Sequence, residues 1–392
     1  MAITKITTPD LIDLPFNNTD GIVLAKGPTG AVASIQYLVV AGGGGAAGTS
    51  SGGGGGGAGG LLTATADFTV STALDLTIGI GGAGTPNETS GAVGVNGGNS
   101  IFSTITSTGG GGAKNNGAGG SSSDGGSGGG ASGGTGVGAG SANPTGQGNN
   151  GGIGSSPSDI GGGGGGAGGV GKPGGNRAGA TDGQGGTALS DSITGTAVLY
   201  AGGGGGGVCD FTYNSTPATA GLGGGGVSGT GGNGGQSGDQ GSDPHTKDGD
   251  NGVANTGGGG GGGSRSAGGP DAKGGAGGSG VIILRMASSI TATFSAGVTF
   301  TLDNTTVSGQ NIYKITATTA SETVTFSSTS DGTGRPSTAV DGEFRYNTTT
   351  KKVEYYDGVN WFALTSTTAV PQAGTTGACN YPTTATALYQ FS

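Results

Sequence analysis

Four uninterrupted glycine runs, Gly52–Gly57, Gly161–Gly166, Gly202–Gly207 and Gly257–Gly263, constrain this chain more than any other feature. Of its 104 glycines, 93 fall between Gly42 and Gly280. A segment with so few side chains cannot build an ordinary hydrophobic core. Collagen requires glycine at every third position with abundant proline, whereas these runs are continuous and the whole chain has 13 prolines. Two readings remain. Glycine loses much backbone freedom on folding, so the block can stay a flexible linker. Alternatively the runs form left-handed extended helices with three residues per turn. These would pack side by side through N–H···O=C bonds, because no Cβ holds the backbones apart.

The apolar residues favour order. Ile35–Val40 leads into the block and Val281–Met286 leads out, both reading as strands whose pairing would clamp its ends. Leu61–Val70 and Leu74–Ile80 read as a hairpin across Ser71–Ala73, with Leu62, Phe68, Val70, Leu74, Leu76, Ile78 and Ile80 on one face. Ile101–Ile105 and Ala197–Tyr200 are further strand candidates. Beyond the block, Phe294, Val298, Phe300 and Leu302, then Tyr313 and Ile315, then Val324 and Phe326 keep the two-residue alternation of strands. Residues 341–364 read as a three-stranded meander, marginal alone because it buries little apolar area. No ten-residue stretch has helical periodicity. The expected fold is mostly β with polyglycine II-like helices: a glycine-rich domain flanked by short β-meanders, with almost no α-helix.

The formal charge is −9 and only 9% of residues are charged. That sign opposes phosphate-rich partners, whose affinity comes from Lys and Arg, and anionic membrane surfaces. No 18-residue apolar stretch is present, so no membrane insertion is expected. Catalysis is not expected either, and no cofactor or metal. His245 is the single histidine, and G-x-S-x-G matches such as Gly48–Gly52 and Gly130–Gly134 follow from composition alone. Gly171-Lys172-Pro173 lacks the Ser or Thr of a phosphate loop. A cluster from Asp239 to Gly252 contains Asp243, His245, Asp248 and Asp250 and has part of the rhythm of a calcium loop, without its later glutamate. The other reading is a solvated loop suited to recognition. Phe211 and Tyr213, in an insertion after the third glycine run, either stack on a sugar face or cap the glycine core.

Leu38-Val39-Val40-Ala41-Gly42, with Gly278-Ser279-Gly280-Val281-Ile282-Ile283-Leu284-Arg285, resembles the opening and closing of a glycine-rich domain in bacteriophage tail fibres and other virion appendages. Arg335-Pro336, Asp341–Asn347 and Tyr356–Trp361 are similar to a short β-meander of phage fibre proteins, and Met1–Thr7 with Asp10–Asp13 to their start. Gly377–Pro382 with Ala387–Ser392 is similar to the first strand of a lectin-like sandwich. The resemblance implies residues 1–34 as a virion-attachment segment, 35–287 as the glycine-rich domain, 288–332 as a β-strand segment, 333–366 as the meander and 367–392 as the lectin-like start. It implies a fibrous homotrimer, located in the virion, that contacts other tail or capsid proteins through its N-terminal segment. Its loops would bind a host-surface glycan or protein, with Phe211, Tyr213, Asp243, His245, Asp248 and Asp250 as candidates. A structural spacer or capsid decoration without receptor contact is the alternative.

Overall fold

The computed structural model describes residues 32–48, 52–86, 92–115, 120–134, 137–156, 160–175, 182–210, 229–234, 248–266, 272–319, 322–328, 344–347, 352–356 and 361–364. These are strands, extended segments and the turns between them, and none is in an α-helix. The strands begin with β1 (Val32–Val40), β2 (Leu61–Thr69), β3 (Ala73–Thr77), β4 (Ser100–Phe102), β5 (Ile105–Ser107), β6 (Gly120–Ser121) and β7 (Val137–Gly138). Next come β8 (Leu189–Asp191), β9 (Val198–Tyr200), β10 (Cys209–Asp210), β11 (Arg265–Ser266), β12 (Val281–Ala287) and β13 (Ile290–Phe294). The last are β14 (Val298–Asp303), β15 (Gln310–Thr318), β16 (Glu322–Ser328), β17 (Phe344–Asn347), β18 (Lys352–Tyr356) and β19 (Trp361–Leu364).

The two strands at the margins of the glycine block do pair. β1 and β12 run antiparallel with Val40 opposite Val281 and Val39 opposite Ile282. They occupy the middle of a five-stranded sheet of order β14-β15-β12-β1-β2. A second five-stranded sheet has the order β13-β16-β3-β4-β5. Ala33, Ile35, Val39, Phe68, Ile282, Leu284, Met286, Tyr313 and Ile315 from the first sheet pack on Leu76, Phe102, Ile290, Val324 and Phe326 from the second. Phe68 and Phe102 lie 4.8 Å apart between centroids in this core, inside the usual range for interacting aromatic rings.

Alternate residues of the same central strands face the other way. Leu38, Val40, Val281 and Ile283 form a second core with Leu61, Ile193, Tyr200 and Ile312. The hairpin of β8 and β9, with Leu189 opposite Tyr200, contributes to this cover. Burial on both faces explains why Tyr37-Leu38-Val39-Val40 and Val281–Leu284 read as near-continuous apolar runs.

The expected hairpin of Leu61–Val70 and Leu74–Ile80 does not form. Ser71, with φ of 61°, turns the chain out of one sheet and into the other. β2 therefore pairs with β1, while β3 pairs with β16 and β4. Phe68, Leu76 and Ile78 still share a core, but they meet between sheets. Ile80 has left the core and is 76% exposed. Ile101–Ile105, expected as one strand, is the β4–β5 hairpin, with Ser103 at φ of 56° in its turn. Within the expected meander, Phe344–Asn347, Lys352–Tyr356 and Trp361–Leu364 do form a three-stranded antiparallel sheet, β17-β18-β19.

The glycine block is an array of extended segments joined by backbone hydrogen bonds. Gly42, Gly43 and Gly44 donate to Gly98, Gly278 and Gly57, and three residues later Gly45, Ala46 and Ala47 donate to Val95, Gly275 and Gly54. Each neighbour is thus met again after three residues, in the opposite chain direction. The carbonyls of the same segment accept from Gly110 and Ala113, from Gly82 and Thr85, and from Gly260 and Gly263, three neighbours running parallel to it. A segment with six neighbours and a three-residue repeat has the bonding of a polyglycine II helix. Residues 52–60 are surrounded in the same way.

Most positions of the interior segments have no room for a side chain. A Cβ built on Gly43, Gly56 or Gly260 would come within 3.0 Å of the carbonyl oxygen of Gly258, Gly44 or Gly275. Residues 41–48, 52–60, 160–166, 201–208 and 257–264 are all buried, and they include the four glycine runs. Perimeter segments expose every third residue instead: Ile80, Ala83 and Pro86 in one, Asn150, Ile153 and Ser156 in another. The irregular spacing in the sequence therefore follows from how many neighbours each segment has.

Candidate functional site

The array has two unlike ends. At the proximal end Val40 and Leu61 continue into the sheets, and Ala41 donates to Gly60. At the distal end Ala47 bonds to Gly54, Gly207 to Gly53 and Gly161 to Gly207, far from the sandwich strands along each segment. The parallel pair of β10 and β11, with Cys209 opposite Arg265, continues from this end.

Phe211, Tyr213, Asp243 and His245 lie outside the described residues. The described residues that flank them in sequence are Asp210 and Gly229 for the first two, and Gly234 and Asp248 for the others; Thr230, next to Gly229, accepts the Gly202 N–H with its hydroxyl near the proximal end. Asp210 follows Val208 at the distal end, Gly234 packs beside Gly206, and Asp248 bonds to Lys273 there.

Asp248 and Asp250 have definite roles in the array. Asp248 Oδ1 accepts the Lys273 N–H at 2.8 Å, and three residues on Asn251 Oδ1 accepts the Ala276 N–H at 2.8 Å. Asp250 Oδ2 accepts from Asn233 Nδ2 at 3.2 Å, on a different neighbouring segment. Residues two apart on a threefold helix point in different directions, so the two carboxylates diverge instead of converging on one cation. Among the described residues no group of three or more His, Cys, Asp or Glu could hold a metal ion.

Sequence reasoning missed this use of Asn and Asp. Asn96 and Asn99 accept from Gly112 and Gly109, both at 2.9 Å, and Asn150 accepts from Ala142 at 2.8 Å. Each side-chain oxygen takes a backbone N–H at the perimeter, where no further segment supplies a carbonyl. The signal was the spacing, since Asn96 with Asn99 and Asp248 with Asn251 repeat at three residues. Buried serines act similarly between segments. Ser132 Oγ accepts the Gly54 N–H at 3.2 Å and donates to the Lys114 carbonyl at 2.6 Å. Ser100 relays Gly79 N–H to the Val40 carbonyl, and Ser122 relays Lys114 N–H to the Gly130 carbonyl.

The two strongly perturbed titratable groups lie away from the distal end. Burial, and then the charge of Asp191, pushes the Tyr200 hydroxyl up to about 12. At the end of β14, Asp303 is held well below the usual carboxylate range by the Thr306 hydroxyl and then by the backbone N–H groups of Thr306 and Thr305. Both groups serve local structure. No helix among the described residues is long and apolar enough to cross a membrane.

A family described as a glycine-rich domain matches residues 19–287. No curated protein and no solved structure matches the chain.

Proposed function

The chain belongs to the glycine-rich domain family, and on that premise we propose that it is a structural appendage of a bacteriophage particle, a tail fibre that contacts the host surface through the distal end of its glycine array. The observation that carries this reading is the asymmetry of the array. One end is fixed to a ten-strand sandwich, while Asp210, which immediately precedes Phe211, and Asp248, itself a recognition candidate, are at the other. A stiff scaffold with loops at its far end suits recognition. Several identical chains on one particle would add weak contacts through effective concentration. The frame residues Leu38–Gly42 and Gly278–Arg285, which resemble those of phage appendages, support the same reading.

Host cells incubated with purified protein before infection should adsorb fewer particles, and protein with Phe211, Tyr213, Asp243 and His245 replaced by Ala should lose this effect. Unchanged adsorption with the original protein rejects the receptor role. It would favour a non-adhesive spacer or capsid decoration, a reading to which the engagement of Asp248 and Asp250 within the array also lends weight.

A further inference from the structure

We propose that the array shields three asparagine–glycine dipeptides, Asn96–Gly97, Asn150–Gly151 and Asn251–Gly252, from deamidation. In that reaction the glycine backbone nitrogen attacks the asparagine Cγ and a C–N bond forms. The Cγ–Nδ2 bond breaks and ammonia leaves, carrying the proton given up by the glycine nitrogen, which gives a succinimide. Water then opens the ring to aspartate or isoaspartate. Glycine has no side chain to obstruct the approach, so the dipeptides are vulnerable by sequence.

All three asparagines are exposed, so burial is not the shield. The protection comes from a two-point clamp on one neighbouring segment. Gly97 N–H donates to the Gly110 carbonyl at 2.9 Å while Asn96 Oδ1 accepts from Gly112 at 2.9 Å. Gly151 N–H donates to the Gly140 carbonyl at 3.0 Å while Asn150 Oδ1 accepts from Ala142 at 2.8 Å. Gly252 N–H donates to the Ala276 carbonyl at 2.9 Å while Asn251 Oδ1 accepts from Ala276 at 2.8 Å. In each case the nucleophilic nitrogen and the amide under attack are both held to the neighbour. Bringing them together breaks both bonds. Escape to isoaspartate would insert a methylene into the main chain and put the three-residue repeat out of phase.

The test compares the folded full-length protein with the urea-unfolded chain in mildly alkaline buffer, measuring each dipeptide by peptide mapping and mass spectrometry. Two hydrogen bonds of ordinary net strength reduce the open population roughly 30-fold, which is the expected slowing at all three sites. Equal rates in folded and unfolded protein overturn the proposal. A local test is Ala276→Pro, which removes the N–H that Asn251 accepts while its fixed φ suits a polyglycine II segment. Deamidation should rise at Asn251 and stay slow at Asn96 and Asn150. An unchanged rate at Asn251 counts against the clamp. A rise at all three supports it if hydrogen exchange shows the whole array opened, and overturns it if the array stayed closed.

Discussion

Val40 faces Val281 across the antiparallel pair of β1 and β12, although the whole glycine block separates them in sequence. This pairing brings the two ends of the array together, and both residues are fully buried beside Leu38 and Ile283. Ile283→Ala should therefore cost about 2–5 kcal/mol, the usual range for such a core truncation. Urea unfolding checks the magnitude. Hydrogen exchange should increase first at Ala41 and Gly280, where the array joins the sheets.

Interior and perimeter positions should respond unequally to added side-chain atoms. Gly56→Ala would press a methyl against the Gly44 carbonyl with backbone on all sides, so a loss of about 1–3 kcal/mol or more is expected. Ala83→Val, at an exposed perimeter position, should stay within about 0.5 kcal/mol. Thermal melts of the two variants decide whether the packing, and not glycine content as such, sets stability.

Ser132→Ala removes the hydroxyl that joins Gly54 N–H to the Lys114 carbonyl. It leaves two buried backbone groups without that partner, at about 1–3 kcal/mol for each group left unsatisfied. Ser132→Thr keeps the hydroxyl but adds a methyl at a site 1% exposed, so it should lose stability by crowding. Amide exchange at Gly54 separates the two causes: fast in the alanine variant, slow in the threonine variant.

Alkaline pH should weaken the second core. Tyr200 is neutral in the fold, with its folded value raised to about 12 against about 10 for an unperturbed tyrosine. Its contribution is complete below the unfolded value and is lost as pH rises through the folded value. Tyr200→Phe keeps the ring, and its unfolding midpoint should depend less on pH in that window. Ultraviolet titration of tyrosinate in the parent should show one late group that the variant lacks.

Much of this fold is legible in the residues, for identifiable reasons. Val39, Val40, Val281 and Ile282 announce paired strands, and uninterrupted glycine announces close backbone packing. The partner of each glycine is not legible, because Gly44 bonding to Gly57 and Gly260 bonding to Gly44 are choices made among chemically identical donors. The fate of β2 and β3 was hidden for another reason. Alternating apolar residues suit a hairpin or two facing sheets equally, and Ser71 decides between them. At the candidate site, Asp248 and Asp250 look like ligands in sequence because they are close together. The threefold twist separates their carboxylates and turns them to different neighbours.

The recurrence of each neighbour every third residue gives the array something like a reading frame. Adding or removing three residues within a segment moves it by one whole turn and returns every N–H to the same side. A change of one or two rotates everything beyond it by a third or two thirds of a circle and aims each bond at the wrong strand. Length variation inside the array should therefore be tolerated in steps of three, while its connecting turns are free of that rule.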